Sequence, residues 1–260
     1  MEQLLLFVLI AYLIGAIPFG LILSKVFLRV DVRTIGSNST GATNVLRLGN
    51  KWVALATMIL DIGKVYVAWI AVQQLIIHTY GPFAASIILG IYELQLKMIV
   101  SAAAVIGHCF PVYCKFRGGK GVAAAAGALI LFSPWLFAAT FATWLLVLAV
   151  FGKSSLAALL TGALTPVYVL VLRPYPLPRD NNDLMWFVIA LMLFIIVRHI
   201  SNIKRLIAGT ESNVVINKKT EPAPAEKAEK APAKPAKSAK PAARVATSKR
   251  KPAGKRKAPK

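Results

Sequence analysis

The sequence predicts an all-α integral membrane protein. It has seven transmembrane helices, the amino terminus outside, the carboxy terminus cytoplasmic, and the functional site at the cytoplasmic face. Three observations carry this. Hydrophobic residues make up 57% of the 260, charged residues only 16%, and mean hydropathy is +0.64. Ordinary soluble domains are ~45–50% apolar and ~25% charged. The apolar residues also fall into runs near the ~20 that a helix needs to cross ~30 Å of hydrocarbon. Finally, the cations gather in alternate loops. A water-soluble globule is excluded, and with only Cys109 and Cys114 present so is a disulfide scaffold.

Residues 4–23 form the first span, apolar except for Tyr12. The run is too long for a cleavable signal, and Glu2 stands where a positive n-region belongs. Residues 52–77 form the second, with Asp61 and Lys64 inside it. Three residues apart, these two share a helical face and read as a buried structural pair, with proton coupling as the alternative. The third span covers 95–111, and the preceding stretch 82–92 reads as a small surface helix. Spans four and five, 122–132 and 135–151, are divided by Ser133-Pro134. The fourth is short, reaching only ~16 Å. Residues 156–172 and 184–197 complete the set, joined by 173–183 with its three prolines.

Orientation follows from the cations. If the first loop, 24–51, is cytoplasmic, alternation places twelve of the sixteen basic residues before position 213 inside. Lys97, Arg173 and Arg179 fall outside, each near an acidic neighbour. The positive-inside rule and the odd number of spans agree. Residues 1–212 therefore read as the membrane domain. Residues 213–260 hold 15 of the 31 basic and 3 of the 10 acidic residues and no aromatics. Such a segment cannot bury enough surface to offset the entropy of ordering, so it reads as a disordered basic tail. A solvated tail is the plain reading; anionic lipid or nucleic acid is what it would bind.

All the polar, glycine-rich stretches fall on one side: 33–47, 107–122, 153–155 and 198–211. In the first, Ser37, Asn44 and Arg47 stand among hydroxyls, amides and glycines. Arg47 can fork onto phosphate oxygens, and a polar turn is the competing reading. The sequon at Asn38 is discounted because that loop is read as cytoplasmic. In FRGGKGV, residues 116–122, Gly118, Gly119, Lys120 and Gly121 open into a helix start, a ready anion site. Gly121 stands where a Walker A loop would have Ser or Thr for magnesium, so phosphate is bound without nucleotide hydrolysis. A structural hinge is the alternative. His199 and Asn202, three apart after the last span, can move a proton and orient an oxygen. His108 reads alike but more weakly, and the cysteines lack partners for a metal site.

Residues 36–47 (GSNSTGATNVLR), 107–123 (GHCFPVYCKFRGGKGVA) and 198–211 (RHISNIKRLIAGTE) resemble the three signature motifs of the bacterial acyl-phosphate:glycerol-3-phosphate acyltransferase family. The first departs from the family pattern at two positions, Asn38 and Ser39, where the family has Gly and Asn; outside the motifs, Val65 stands where the family tends to have a glycine after the intramembrane Lys64. The resemblance implies a multi-pass enzyme of the bacterial inner membrane. It would transfer an acyl group from acyl phosphate to glycerol 3-phosphate, forming lysophosphatidate with no cofactor or metal. It implies that Ser37 and Arg47 hold substrate phosphate or polarise the acyl carbonyl. Lys120 with Gly118, Gly119 and Gly121 would bind glycerol phosphate, with Asn44 and Ser155 also binding substrate. His199 and Asn202 would position the attacking hydroxyl, the base being His199 or the substrate's own phosphate. Membrane lipids and the soluble acyl-phosphate-forming enzyme are the expected partners. The alternative from another class is a small polytopic anion or proton-coupled transporter, which would be expected to show an internal repeat that is not found.

Overall fold

Pro18 has no N–H to continue a helix, and the first expected span is accordingly broken there. In the computed structural model, which describes residues 2–172 and 182–214, α1 (Glu2–Gly15) and α2 (Phe19–Leu28) flank the break. The carbonyl of Ile17, left without its ordinary helical partner, accepts a hydrogen bond from Lys64 Nζ at 3.0 Å. The intervening loop leads to a short helix, α3 (Ala42–Leu46), and then to α4 (Lys51–Cys109). Asn50 caps α4 by accepting from Trp52 N and Val53 N, both at 3.1 Å.

The 59 residues of α4 are not one rod. Gly81 has φ 78° and ψ 161°, outside the helical region, and Pro82 follows it. Lys64 Nζ lies 3.0 Å from His108 Nδ1, 44 residues later, and Lys97 Nζ sits 5.7 Å from the centre of the Trp69 ring. In a straight helix Lys64 and His108 would be ~66 Å apart. The chain therefore doubles back near Gly81, and residues 51–80 and 82–109 form two antiparallel limbs. The stretch 82–92, expected as a separate surface helix, is the start of the second limb. The limb packs closely on α1: a Cβ on Gly15 would overlap the Ala104 backbone, and one on Gly107 the Tyr12 carbonyl. Small residues at such crossings let backbones touch where lipid gives no hydrophobic incentive to associate.

Then come α5 (Val122–Phe132), α6 (Pro134–Phe151), α7 (Ser154–Leu172), α8 (Asn182–Arg198) and α9 (Ile200–Ile207). Ser133 and Pro134 divide α5 from α6 as expected: the Ser133 hydroxyl accepts from Leu136 N at 3.4 Å and Pro134 takes the first helical position. Gly152, at φ 64°, ends α6 and lets α7 fold back against it. The axis bends by 63° between α8 and α9, at His199.

No strand occurs among the described residues. Four of their helical runs, beginning at Glu2, Lys51, Pro134 and Ser154, are long and apolar enough to cross a membrane; the bent α8–α9 pair makes a fifth, and α5 is a shorter apolar helix. One core joins α1, both limbs of α4, α5 and α8 through Phe7, Trp69, Ile76, Val100, Phe132 and Val188. Around it Leu5, Val150 and Val171 are more than half exposed, as expected of side chains that face lipid. The linking stretch 173–181, with Arg173 and Arg179, and the tail from 215 onward lie outside the described residues.

Candidate active site

Three loops and two helix ends close around one cavity of about 360 Å³. The loop before α3 is organised by Asn44, which is 2% exposed. Its amide donates to the carbonyls of Val32, Ile35 and Ser39 at 2.8, 3.1 and 2.9 Å, and its Oδ1 accepts from Ser37 N at 3.1 Å and Arg47 Nη1 at 3.3 Å. Asn44 thus holds the loop in shape and aims Arg47, whose Nη2 donates to Ser212 Oγ at 3.0 Å. The two family departures fit this turn. Asn38 adopts φ 53°, a left-handed conformation that asparagine tolerates better than most residues. Ser39 supplies an acceptor to Gly41 N at 3.2 Å.

The glycine-rich loop is pinned from behind. Gly119 N donates to His108 O at 3.0 Å, and Arg198 Nη2 donates to Gly119 O at 2.8 Å. Arg198 itself lies over the Phe110 ring, 4.6 Å from its centre. A Cβ on Gly119 would strike the His108 imidazole, and Gly121, at φ 91°, turns the chain into α5. Gly118, Gly119 and Gly121 are not among the described residues that line the cavity; they shape the loop that delivers Lys120 to it. Gly119→Ala should therefore lower the melting temperature by several degrees and reduce turnover, because His108 is held on its far side and cannot yield. Gly63→Ala, where the added Cβ meets nothing within 4 Å, should change neither. Thermal unfolding of both variants in detergent checks this.

At the centre stands a carboxylate that sequence reasoning assigned no role. Glu211 Oε1 accepts from Ser155 Oγ and Asn202 Nδ2, both at 2.7 Å, and its Oε2 from Arg205 Nε at 2.7 Å. Asn202 Oδ1 in turn accepts from Lys120 Nζ at 2.7 Å. Burial opposes ionisation of Glu211, but these three hydrogen bonds and the Arg205 charge hold its carboxyl below the usual range. Burial and the nearby Arg205, Arg47 and Arg198 charges bring Lys120 down to about 8, although Glu211 works against them. Arg47 is lowered chiefly by burial.

His199 occupies the break between α8 and α9 and is 2% exposed. Its Nδ1 lies 2.9 Å from Ile195 O. A carbonyl can only accept, so Nδ1 carries the proton and Nε2 keeps its lone pair. Burial above all brings its pKa to about 4, so the ring is neutral. Ser37, Asn44, Arg47, Lys120, Ser155, His199 and Asn202 all line the cavity, as do Glu211, Asp61 and His108. Leu129, Phe141, Trp144 and Leu148 line the same cavity, so it offers both cations for anions and apolar surface for a chain.

Residues 5–209 match the family model described as glycerol-3-phosphate acyltransferase. The chain belongs to the glycerol-3-phosphate acyltransferase family. Relatives of that name include the protein of Ralstonia nicotianae, 40% identical over 214 residues, covering 82% of this chain and 95% of that protein. Another, from Rhodospirillum rubrum, is 41% identical and covers 82% of this chain and 92% of that protein. Among solved structures, PlsY (YgiH), an integral membrane glycerol 3-phosphate acyltransferase, superposes in its glycerol 3-phosphate form with a TM-score of 0.66 at 30% identity. That alignment covers 81% of this chain and 94% of the crystallised one. Its lysophosphatidic acid form gives 0.64 at 28% identity. Membership makes this acyltransferase a multi-pass membrane protein and sets the transporter alternative aside.

Proposed function

We propose that this acyltransferase moves a fatty acyl group from acyl phosphate to the primary hydroxyl of glycerol 3-phosphate. The products are lysophosphatidate and inorganic phosphate. The observation that carries the reading is one cavity lined both by Lys120, Arg47 and neutral His199 and by the apolar Leu129, Phe141 and Trp144. Lys120, steadied by Asn202 and Glu211, takes the glycerol phosphate. Arg47 and Ser37 take the donor's phosphate, and the acyl chain lies along Leu129, Phe141 and Trp144. His199 Nε2 accepts a hydrogen bond from the attacking hydroxyl and orients it. The new ester C–O bond forms as the anhydride C–O bond breaks, and the hydroxyl proton leaves on the phosphate. No cofactor or metal enters the scheme. Purified protein given palmitoyl phosphate and glycerol 3-phosphate should release lysophosphatidate and phosphate in equal amounts. Absence of lysophosphatidate at every pH would end this reading.

The pH profile should follow Lys120. Glycerol phosphate gains its second charge near pH ~6, and Lys120 keeps its own only below about 8. So kcat/KM for glycerol 3-phosphate should rise through ~6 and fall through about 8, since that ratio reports groups of the free enzyme and the free substrate. His199, at about 4, contributes no limb between them. A profile flat from pH 7 to 10 would remove Lys120 from phosphate binding.

In the bacterial inner membrane we read seven passes. The two limbs of α4 count separately, α1 with α2 forms the first and α5 the short fourth. This leaves the amino terminus outside, and the loops bearing Arg47, Lys120 and His199 cytoplasmic. A reporter fused after Ala208 should be cytoplasmic and one inserted at Asn182 external; finding both on one side would contradict the seven passes. Residues 213 and 214 pack with the membrane domain, Val214 N donating to Gly152 O, and the basic tail beyond them is proposed to meet anionic lipid or nucleic acid. Contact with the soluble enzyme that makes acyl phosphate belongs to the same proposal.

A further inference from the structure

Lys64 is buried and spends all three of its hydrogens. It donates to Asp61 Oδ1 at 2.8 Å, to Ile17 O at 3.0 Å and to His108 Nδ1 at 3.0 Å. An ammonium only donates, so His108 Nδ1 is the acceptor and its proton sits on Nε2, against Gly119. This accounts for one oxygen of Asp61. The other does not pair: Asp61 is 1% exposed, and its Oδ2 has no hydrogen-bond partner among the described residues. A carboxylate oxygen left bare in a buried site is destabilising, by ~1–3 kcal/mol or more. Ionisable groups at such depth usually serve a site.

Asp61 and His108 line the same cavity as Lys120 and His199. The His108 ring, whose Nδ1 lies 3.4 Å from Asp61 Oδ1, abuts Gly119, the residue before Lys120. A second anion would be repelled by the bare oxygen, and Lys64 already supplies the cation. What is wanted is a small neutral donor. Glycerol 3-phosphate has two hydroxyls; one attacks the acyl group and is oriented by His199, and the other has no partner in the scheme so far.

We infer that Asp61 Oδ2 accepts a hydrogen bond from the non-reacting C2 hydroxyl of glycerol 3-phosphate, making Asp61 a specificity-determining residue that selects an alcohol at that carbon. The inference rests on glycerol 3-phosphate being the acceptor. A methylene at C2 would leave the oxygen bare. A ketone, as in dihydroxyacetone phosphate, would set carbonyl lone pairs against the carboxylate. Sites built to pair a substrate hydroxyl reject analogues that lack it far more strongly than apolar pockets reject a missing methylene.

The test compares kcat/KM for three acceptors with one acyl phosphate: glycerol 3-phosphate, 3-hydroxypropyl phosphate and dihydroxyacetone phosphate. The wild-type enzyme should prefer the first over each of the others by roughly 10–100-fold. In Asp61→Asn, Oδ1 keeps its bond to Lys64 while an amide N–H replaces Oδ2. The preference over dihydroxyacetone phosphate should then fall by about tenfold or more, because an N–H can donate to a ketone. A ratio of kcat/KM values is independent of how much variant folds, and the wild-type comparison needs no variant. Wild-type turnover of 3-hydroxypropyl phosphate within about twofold of glycerol 3-phosphate would overturn the inference, as would an unchanged ratio in Asp61→Asn. Failure to turn over glycerol 3-phosphate at all would instead strike the proposed function, and this inference with it.

Discussion

Lys120→Ala should raise the KM for glycerol 3-phosphate by about 100-fold while leaving the KM for acyl phosphate near its wild-type value. The magnitude is that of a charge-assisted hydrogen bond to phosphate lost from a largely buried position. The selectivity follows from the separation of cations: Lys120 is tied to Asn202 and thence to Glu211, whereas Arg47 is tied to Asn44 and Ser212. Lys120→Arg should restore only part of the loss. A forked planar guanidinium does not fit where a compact ammonium donates to Asn202 Oδ1 at 2.7 Å from a tight glycine loop. Steady-state kinetics with each substrate varied in turn checks this. A rise in the donor KM alone would reverse the assignment of the two phosphates.

His199→Ala should lower kcat by roughly 10–100-fold with little change in KM. A side chain that carries the proton in the transition state contributes ~10²–10⁴-fold. A base of pKa about 4 is poorly matched to an alcohol proton, and the leaving phosphate is a better home for it. The smaller loss is that of orientation, since Nδ1–H on Ile195 O fixes the ring and presents Nε2 to the hydroxyl. A kcat loss beyond ~10³-fold would instead make His199 the general base.

Much of this arrangement was legible in the sequence because motif residues sit close together along the chain. Arg47, Lys120, His199 and Asn202 could each be picked out as a cation or polar group beside glycines at the end of an apolar run. That they meet was legible only as a topological argument, since the loops follow odd-numbered spans. Glu211 went unassigned, although it closes the third motif and follows Arg198, Lys204 and Arg205. Its role depends on the strand of chain after α9 returning to Ser155, and Val214 N donates to Gly152 O at 2.7 Å to hold that return. No local spacing encodes such a contact.

The glycines show the converse. Read locally, a glycine-rich turn before a helix is a phosphate cradle. In the fold, Gly119 gives its N–H to His108 O and its bare Cα makes room for the imidazole. Asp61 and Lys64 were legible as a pair from their spacing. His108 joins them only because Gly81 folds α4 back on itself, a turn that the apolar pattern on either side concealed. Pro18 interrupts a run whose hydropathy is unbroken, and at that break the Ile17 carbonyl accepts from both Phe19 N and Lys64 Nζ.

The central claim is that the three motifs build one cavity in which Lys120 receives the phosphate of the acyl acceptor. A structure determined with glycerol 3-phosphate bound tests it most directly. The account predicts phosphate oxygens within hydrogen-bond distance of Lys120 Nζ, the primary hydroxyl facing His199 Nε2, and the glycerol carbons inside the cavity. Phosphate seated outside it, on Lys204 or Lys153 with Lys120 still bound only to Asn202, would contradict the account.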